Sequence, residues 1–464
     1  VAGTTSAIAD KWLRGTPIGY PLREEVAELG VLIAERVLHG KPVVGTQVGD
    51  YKAGLAAAHE YPERVAKFAL EAAGRINTGH DIEDRYNHKF TTPWVDGPST
   101  DVDHDFREQC LSPNNAGIIN PLIDANPSVA REVILALLIF PPYKTSDTYG
   151  YPSILIDELE IKDIVGYFPP IYFHGPFLYF LRSHPDEGLE LIIRLVDFAT
   201  DRWADRSAQQ GFDVANLILD FQGKQTKWIG DYKVYQWYQM QGNVPCPIAC
   251  ALMALEKWLY DKADAGESLD QIIDIIHTKS YSLAFIGVLC ALGRKRPELF
   301  TGPLLPYLAV PELHNWEINS TIQSSWSWTS IGWDMGQMKL YRDLAYEWHN
   351  APHRRYGMDQ WAIRLFLTNN QVRSFLQPVI RKWKQRLRKP TSKDPIKWLE
   401  PLIPKFEMEN YQKVTDKNGN VLIVYNQPRK LQLKYASRLN EIDRQNQLRN
   451  FVMKCRQILD GQLS

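Results

Sequence analysis

Residues 177–198 read FLYFLRSHPDEGLELIIRLVDF, and this stretch determines the predicted fold. Its apolar residues recur at intervals of three and four on both sides of SHPDEG, which predicts two amphipathic helices joined by a turn. Pro185 suits the first position of the second helix because an N–H there would have no partner, and Asp186 and Glu187 face the positive end of the helix dipole. One such hairpin cannot bury both of its apolar faces, so the sequence predicts further helix pairs stacked against it.

The same signals recur along the first 310 residues. Pro62, Pro127 and Pro297 precede apolar runs as Pro185 does. Pro62 and Pro127 are 65 residues apart, whereas a HEAT-type helix pair occupies ~40–47 residues. The sequence therefore predicts a mainly α fold, an irregular α-solenoid of HEAT-like pairs; a globular all-α domain without superhelical order is the alternative. Helical periodicity marks residues 24–39, 64–73, 129–139, 188–203, 248–260 and 269–277.

Changes in composition predict four regions. These are N-terminal helices at 1–86, a helical-repeat body at 87–310, an aromatic-rich connector at 311–350 and a basic C-terminal helical region at 351–464. Polar stretches at 87–115 and 143–168 are expected to be loops. In the last region Asn418-Gly419 precedes an apolar run and favours the turn of a small β-hairpin over about 411–425.

Charge is distributed unevenly along a nearly neutral chain. The 464 residues contain 53 Lys and Arg and 54 Asp and Glu, which gives a net charge of −1. From residue 351 onward there are 23 Lys and Arg but 9 Asp and Glu, so this region carries +14 and the rest of the chain −15. A basic segment of this kind is expected to meet an anion, which is a nucleic acid, a membrane surface or the chain's own acidic part.

The number of cysteines and the length of the apolar runs indicate the cellular compartment of the protein. Five cysteines, an odd number, do not describe a disulfide framework, and a reduced, cytoplasmic setting is the simpler interpretation. The longest apolar runs fall short of the ~20 residues that cross a bilayer, so no membrane partner is expected. The chain begins at Val1 without a secretory pattern and is interpreted as part of a longer polypeptide.

The sequence lacks the common motifs of catalysis and cofactor binding. It contains neither GxxxxGK[ST] nor GxGxxG, so no nucleotide or other cofactor is expected on this chain. It also lacks a GxSxG elbow, so no catalytic residue is assigned and enzymatic activity stays uncertain.

Three clusters of metal-ligating residue types occur, and none is assigned a metal. Residues 101–105 read DVDHD, which suits either a solvated loop or the first turn of a helix better than a calcium loop. Cys246 and Cys250 are four residues apart but have no further ligand nearby in sequence. His349 and His353 have the same spacing, with Pro352 between them and no acid as in HExxH.

Tryptophans concentrate in the connector. Exposed rings of this kind anchor interfaces or stack on sugars, although packing between helices and loops accounts for them as well. The possible interface aromatics are Trp316, Trp326, Trp328 and Trp333. A glycan hydrolase with an α-toroid fold would need a carboxylate pair beside such rings, for which Glu317 and Asp334 are the available residues.

The basic segment near residue 385 has the clearest electrostatic meaning. Helical spacing places Arg381, Lys384 and Arg388 on one face, with Trp383 on another. Cations beside an aromatic ring suit phosphate contact with base stacking, and docking on an acidic protein surface accounts for the same residues. The possible anion or nucleic-acid contacts are Arg381, Lys382, Trp383, Lys384, Arg386, Arg388 and Lys389.

Several strings resemble the helical region of very large bacterial multidomain ATP-binding proteins. The resemblance covers about residues 90–310 and implies a non-catalytic, HEAT-like portion of an ATPase of the defence or signalling type. The phosphate loop of such a protein is missing here, so the resemblance carries over no functional residue. The strings are GPFL at 175–178, HPDEGL at 184–189, ATDRW at 199–203, WIGD at 228–231, VYQWY at 234–238 and ALMALEKWLY at 251–260.

These observations support three hypotheses. The first is a non-catalytic α-helical interaction or recognition module of a larger bacterial protein, whose partner is another protein or other domains of the same polypeptide. The second is an α-toroid hydrolase that acts on a glycan. The third is a nucleic-acid-binding protein that uses the basic C-terminal segment.

Overall fold

A computed structural model shows a mainly α-helical protein. None of the helices in the described part of the chain is long and apolar enough to cross a membrane. The structure describes residues 2–40, 50–75, 97–98, 101–112, 117–140, 159–162, 164–221, 224–239, 244–323, 339–388, 396–415 and 421–436.

The chain divides into two compact units. The first unit comprises Val1–Tyr307 and Trp316–Met358, and the second comprises Leu308–Asn315 and Asp359–Ser464. The second unit therefore contains nearly all of the basic region, which is predicted to begin at residue 351.

Helices make up most of the first unit. Its described helices are α1 (Ala2–Gly15), α2 (Arg23–Leu38), α3 (Lys52–Ala56), α4 (Pro62–Ala72), α5 (His104–Leu111), α6 (Asn120–Ala125), α7 (Pro127–Leu138), α8 (Phe177–Ser183), α9 (Pro185–Gln209), α10 (Tyr232–Tyr235), α11 (Cys246–Asp264), α12 (Asp270–Lys279) and α13 (Leu283–Lys295). The next is α14 (Pro311–Gln323), which begins in the second unit, and then α15 (Lys339–His349). Short 3-10 helices include Trp237–Gln239, Pro297–Thr301, Leu305–Ala309 and Pro352–Arg355.

The six periodic segments of the sequence are all helical, which confirms the predicted fold class. Pro62, Pro127 and Pro185 occupy the first helical position of α4, α7 and α9. Pro297 begins a short 3-10 helix instead of an α-helix, so the turn signal was right and the element type was wrong. Helices α8 and α9 pack against each other on either side of His184, as the hairpin at 177–198 predicts.

A β-hairpin lies inside the body that the sequence assigned to helical repeats. Strand β1 (Asn216–Phe221) pairs antiparallel with β2 (Lys224–Ile229), with Asn216 opposite Ile229. Leu217 and Leu219 are buried whereas Ile218 is exposed, which is the alternation of a half-buried strand. The hairpin corrects the expectation that this stretch is purely helical; its strands are too short to stand out beside the long helical runs.

The core of the first unit is centred on α11 and α13. Both helices are buried around most of their circumference, which is why their sequences are apolar almost throughout. Gly287 allows α13 to lie against the backbone carbonyl of Tyr235, since a Cβ at this position would overlap that oxygen. The close approach brings the α10 turn beside the middle of α13.

The second unit is built around one long amphipathic helix. It contains α16 (Met358–Thr368), whose first residue ends the first unit, and α17 (Asn370–Arg388). The predicted hairpin is confirmed as β3 (Tyr411–Thr415) and β4 (Val421–Tyr425), which pair antiparallel with Tyr411 opposite Tyr425. The buried side of α17 consists of Val372, Leu376, Ile380 and Trp383.

Candidate functional site

The connector tryptophans are only partly placed by the structure. Trp316 is half-buried on α14, and its ring lies 5.3 Å from that of Tyr235, centroid to centroid. Trp326, Trp328, Trp333 and the carboxylate candidate Asp334 lie outside the described residues. For Trp316, packing on a core tyrosine is the observed role.

Glu317, the other carboxylate candidate, is enclosed within the first unit. Its side chain is 0% exposed and forms an ion pair with Arg294, 3.2 Å from Nε to Oε2. The hydroxyl of Tyr235 donates to its other oxygen at 2.5 Å. Burial, and with it the nearby Glu317 charge, raises the pKa of Tyr235, so this hydroxyl stays protonated and continues to donate. These contacts give Glu317 a structural role in joining α14 to α13 and α10.

A second buried ion pair lies in the same core. Arg354 Nη2 donates to Glu256 Oε1 at 2.6 Å, and both side chains are enclosed. Tyr260 donates to the same oxygen at 2.6 Å, and the guanidinium of Arg354 lies 4.4 Å from the centre of the Trp348 ring. Although burial by itself lowers it, the Glu256 charge raises the pKa of Arg354, so the guanidinium stays charged.

Together Glu256, Arg294, Glu317 and Arg354 form what we call the buried ionic cluster. Its members come from α11, α13, α14 and the 3-10 helix Pro352–Arg355, so the cluster ties four elements together. Arg294 also donates to the hydroxyl of Tyr238 at 3.2 Å. The sequence pointed to Glu317 alone, because the other three members of the cluster lie far from it along the chain.

The two candidate metal-binding histidines border this cluster. Burial, and secondarily the Arg354 charge, lowers the pKa of both His349 and His353 to about 3, so both are neutral at physiological pH. The ring of His353 packs edge-on against Tyr260 at 4.8 Å. Within the described ranges, no group of three His, Cys, Asp or Glu side chains has the arrangement to hold a metal ion.

The remaining clusters of the sequence have structural roles. Asp103 is the N-cap of α5, where its Oδ1 accepts from the backbone N–H of Phe106 at 2.8 Å. This geometry confirms the helix-start interpretation of residues 101–105. The thiols of Cys246 and Cys250 are buried in the first turns of α11.

The basic residues in the last turns of α17 differ in whether a carboxylate lies beside them. Arg381, Lys382 and Arg388 are exposed, and no ion-pair partner for them exists among the residues that the structure describes. Lys384 pairs with Glu407 at 2.6 Å and Arg386 with Glu312 at 3.3 Å. We call Arg381, Lys382 and Arg388 the basic face of α17.

Trp383 does not belong to that face. Its side chain is 2% exposed and packs edge-on against His314 at 5.6 Å and Phe406 at 6.1 Å within the second unit. A ring in this position is unavailable for stacking on a base, so Trp383 is a core residue. Lys389, the last residue of the predicted basic set, lies outside the described residues.

The sequence did not predict an exposed apolar surface on α1 and on the segment that joins α1 to α2. Ile8, Ile18 and Leu22 are 64%, 65% and 65% exposed, and Trp12 and Tyr20 are also exposed, with their rings 5.9 Å apart in an edge-on contact. We call these five exposed residues, which all lie between positions 8 and 22 of the chain, the N-terminal apolar face. Small residues contribute to the packing of α2 instead, since Ala27, Gly30 and Ala34 are half of its six buried residues. The spacing of Ile8 and Trp12, four residues apart on a helix, is the sequence signal that could have indicated this face.

Comparison of the sequence with protein-family models finds no match, and comparison with curated proteins finds none either. The resemblance of residues 90–310 to the helical region of bacterial ATP-binding proteins therefore stays a prediction.

Proposed function

We propose that this chain is a non-catalytic α-helical recognition module that binds another protein through its first unit. The observation that carries the proposal is the N-terminal apolar face. Large apolar side chains gathered on one exposed surface are typical of interaction sites, and tryptophan and tyrosine are the residues that most often anchor them.

The surroundings of this face indicate the chemistry of its partner. The exposed acids Glu24, Glu25 and Glu28 lie on α2 beside Leu22 and Leu29. Acidic residues that follow an apolar segment complement a surface that presents apolar residues next to Lys or Arg. We therefore expect the partner to be a basic amphipathic segment of another protein or of another domain of the same polypeptide.

The buried ionic cluster is consistent with a non-catalytic assignment for the connector. Glu317 would need access to a substrate in order to act as an acid or base, yet its two oxygens are engaged by Arg294 and Tyr235. As part of the same proposal, the helix pairs of residues 90–310 belong to a larger bacterial protein of the defence or signalling type. The helical pairing of α8 and α9 over the GPFL and HPDEGL strings supports this part of the proposal.

A site-specific crosslinking experiment tests the proposal. A photoreactive amino acid placed at Trp12 is expected to capture a defined protein in cells that produce the chain, whereas the same group at the exposed neighbour Lys11 captures it much less. Binding of that purified protein is then measured by calorimetry. The double variant Ile8→Ser and Trp12→Ser is expected to weaken binding by a factor of at least about 30, in line with ~2 kcal/mol for a central interface residue.

The matched control is Lys11→Ser, which changes α1 without touching the apolar face and should leave binding unchanged. Equal capture at positions 11 and 12, or unchanged affinity of the double variant, would contradict the proposal. Turnover of a glycan or phosphodiester by the purified chain would contradict its non-catalytic part.

A second candidate function, nucleic-acid binding by the second unit, is favoured by the basic face of α17. Three exposed cations without described partners lie on a helix whose opposite side is firmly packed. Such cations gain more from a phosphate neighbour than cations that already have a carboxylate neighbour, since each phosphate that is neutralised releases a counterion.

Fluorescence anisotropy with a labelled 20-mer of RNA or duplex DNA tests this candidate. The Ala triple variant at Arg381, Lys382 and Arg388 is expected to reduce the slope of log K against log salt by about 2–3, because each phosphate that a cation neutralises adds about 0.7–0.9 to that slope. The matched control removes the same charge elsewhere in the unit through Ala at the exposed residues Lys413, Arg429 and Lys430. No binding by the wild type, or an equal reduction in the control, excludes the role.

A further inference from the structure

A surface pocket lies beside α9, and none of the described residues that line it belongs to the buried ionic cluster or to the N-terminal apolar face. It has a volume of about 310 Å³, room for about ten water molecules at ~30 Å³ each. One wall is a single face of α9, from Glu190 through Asp197 to Asp201, and the other is formed by Lys279 and Tyr281 at the junction of α12 and α13. Ile193 and Phe198 add apolar surface to the lining. The pocket thus offers both hydrogen-bonding and apolar contact to a small molecule.

The cations of the pocket already have carboxylate neighbours. Lys279 Nζ lies 2.9 Å from Glu190 Oε2. Arg194 donates to Glu132 of α7 through two nitrogens, at 2.5 and 3.2 Å. Although burial by itself raises it, the hydrogen bonds from Arg194 and Arg75 lower the pKa of Glu132 to about 2, so Glu132 holds its negative charge beside Arg194. An anionic ligand would have to compete with both carboxylates.

Asp197, which also lines the pocket, has a different environment. Its side chain is 7% exposed, and its Oδ1 accepts from the Ser280 hydroxyl at 2.7 Å. Burial, and to a smaller degree the nearby Asp201 charge, raises the pKa of Asp197 to about 8, even though hydrogen bonds from the Ser280 hydroxyl and from the backbone N–H groups of Tyr281 and Ser282 lower it. At neutral pH this carboxyl therefore carries a proton, whereas Glu256 and Glu317 each form an ion pair with an arginine.

Asp201 lies one turn further along α9, so the two Cβ atoms are about 5–6 Å apart. Its Oδ2 accepts from the Tyr281 hydroxyl at 2.8 Å. An ammonium group between the two carboxyls would donate to both, and a short alkyl chain would extend toward Ile193 and Phe198. On the same face of α9, Glu190 accepts the ammonium group of Lys279.

We propose that this pocket binds a small organic cation with a primary ammonium group, which lies between the carboxyl groups of Asp197 and Asp201. Binding releases the proton from Asp197, because the ligand charge replaces it as the counter-charge. The proposal is independent of the protein-recognition role, since it involves a different surface of the first unit. The charged and titratable groups that face Asp197 from α9 and from the α12–α13 junction are Glu190, Arg194, Asp201, Lys279 and Tyr281.

Isothermal titration calorimetry with putrescine on the whole chain tests the site. Titrations at pH 7 in phosphate and in MOPS, two buffers of different ionisation enthalpy, are expected to show the release of close to one proton per putrescine bound. Affinity should rise by up to about tenfold per pH unit between pH 6 and 8, because ionising Asp197 becomes progressively easier. The neutral isostere 1,4-butanediol should bind at least about tenfold more weakly, as expected without charge-assisted hydrogen bonds.

The decisive variant is Asp197→Asn, which resembles the neutral carboxyl and is expected to fold normally. It should bind putrescine at least about tenfold more weakly and release no proton. Asp186→Asn removes the same charge from the exposed first turn of α9 outside the pocket and should change affinity by less than about twofold, as for a screened surface charge. Absence of putrescine binding, equal binding of butanediol, or unchanged binding by Asp197→Asn would each overturn the proposal.

Discussion

The arginines of the buried ionic cluster and those on the basic face of α17 differ in how their charge is balanced. Arg294 and Arg354 are almost completely shielded from water and lie against glutamates that arrive from distant parts of the chain. Arg381 and Arg388 remain in water, which solvates and screens them. Arginine therefore holds elements together in the interior of the first unit, whereas on the surface of the second unit it is available to bind an anion.

The difference follows from the cost of desolvation. A charge that is moved into a protein interior loses several kcal/mol of solvation, so it is stable there only with a partner of opposite sign in good geometry. An exposed charge carries no such requirement and contributes little to stability. Position in the fold thus decides whether an arginine acts on folding or on binding, and variants in the two regions can test that separation.

The largest effect is expected for Arg354→Met. The substitution leaves Glu256 buried with only the Tyr260 hydroxyl as a described partner, and it should lower the free energy of unfolding by about 3–5 kcal/mol. Urea denaturation followed by circular dichroism measures it. Arg388→Met on α17 is the matched control and should change stability by less than about 0.5 kcal/mol. Comparable losses in both variants would contradict the separation.

The double variant Glu256→Leu and Arg354→Met identifies the cause of that loss. It removes both charges, so much of the stability lost in the single variant should return. If the double variant were less stable than Arg354→Met alone, packing and not the unpaired charge would be responsible.

Asp197→Asn is expected to have a pH-dependent effect, which grows as the pH rises from about 4 to 8. Because the pKa of Asp197 is raised to about 8 in the folded protein, the folded state holds a proton that the unfolded state releases near pH 4. Its stabilising contribution is complete below about pH 4 and is lost as the pH rises toward 8, by at most about 1.4 kcal/mol per pH unit. The variant should match the wild type near pH 4 and be more stable at pH 9. Parallel urea curves at pH 4, 7 and 9 measure this, and a constant difference would contradict it.

Acid should destabilise the first unit through its buried histidines. The pKa values of His349 and His353 are lowered to about 3, whereas an unfolded histidine titrates near 6.5. As the pH decreases, the unfolded state therefore binds protons before the folded state does. The free energy of unfolding falls accordingly between about pH 6.5 and pH 3. Thermal melting of the wild type and of His353→Gln between pH 7 and 4.5 checks this. The variant should lose less stability on acidification, and parallel decreases would argue against His353.

The smallest effect is expected at the exposed ion pair of the second unit. Lys384 and Glu407 are 2.6 Å apart but remain partly in contact with solvent. Lys384→Met should therefore cost less than about 1 kcal/mol, and the cost should diminish in 0.5 M salt because the pair is screened. A loss as large as that of Arg354→Met would mean that exposure does not separate the two regions.

Local signals in the sequence predicted the helices well and the site poorly. Proline at the start of α4, α7 and α9 acts within one turn, and Asn418-Gly419 favours the turn of the hairpin β3–β4 without help from distant residues. The partners of Glu317 are separated from it by 23 residues for Arg294 and 82 for Tyr235. No spacing rule connects such positions, so Glu317 could be considered only as an acid of unknown surroundings.

Amphipathic periodicity determined by itself that this chain is mainly α-helical, and the placement of lysines and arginines determined that its C-terminal part is basic. Both are properties of composition and short-range order. Tertiary structure alone decided which side chains were removed from water. It enclosed Trp383 and the buried ionic cluster, left Ile8 and Leu22 exposed, and placed Asp197 in a pocket whose arginine is already paired with Glu132. Burial depends on which elements meet in space, and it is burial that sets the strength of a charge interaction and the pKa of an acid.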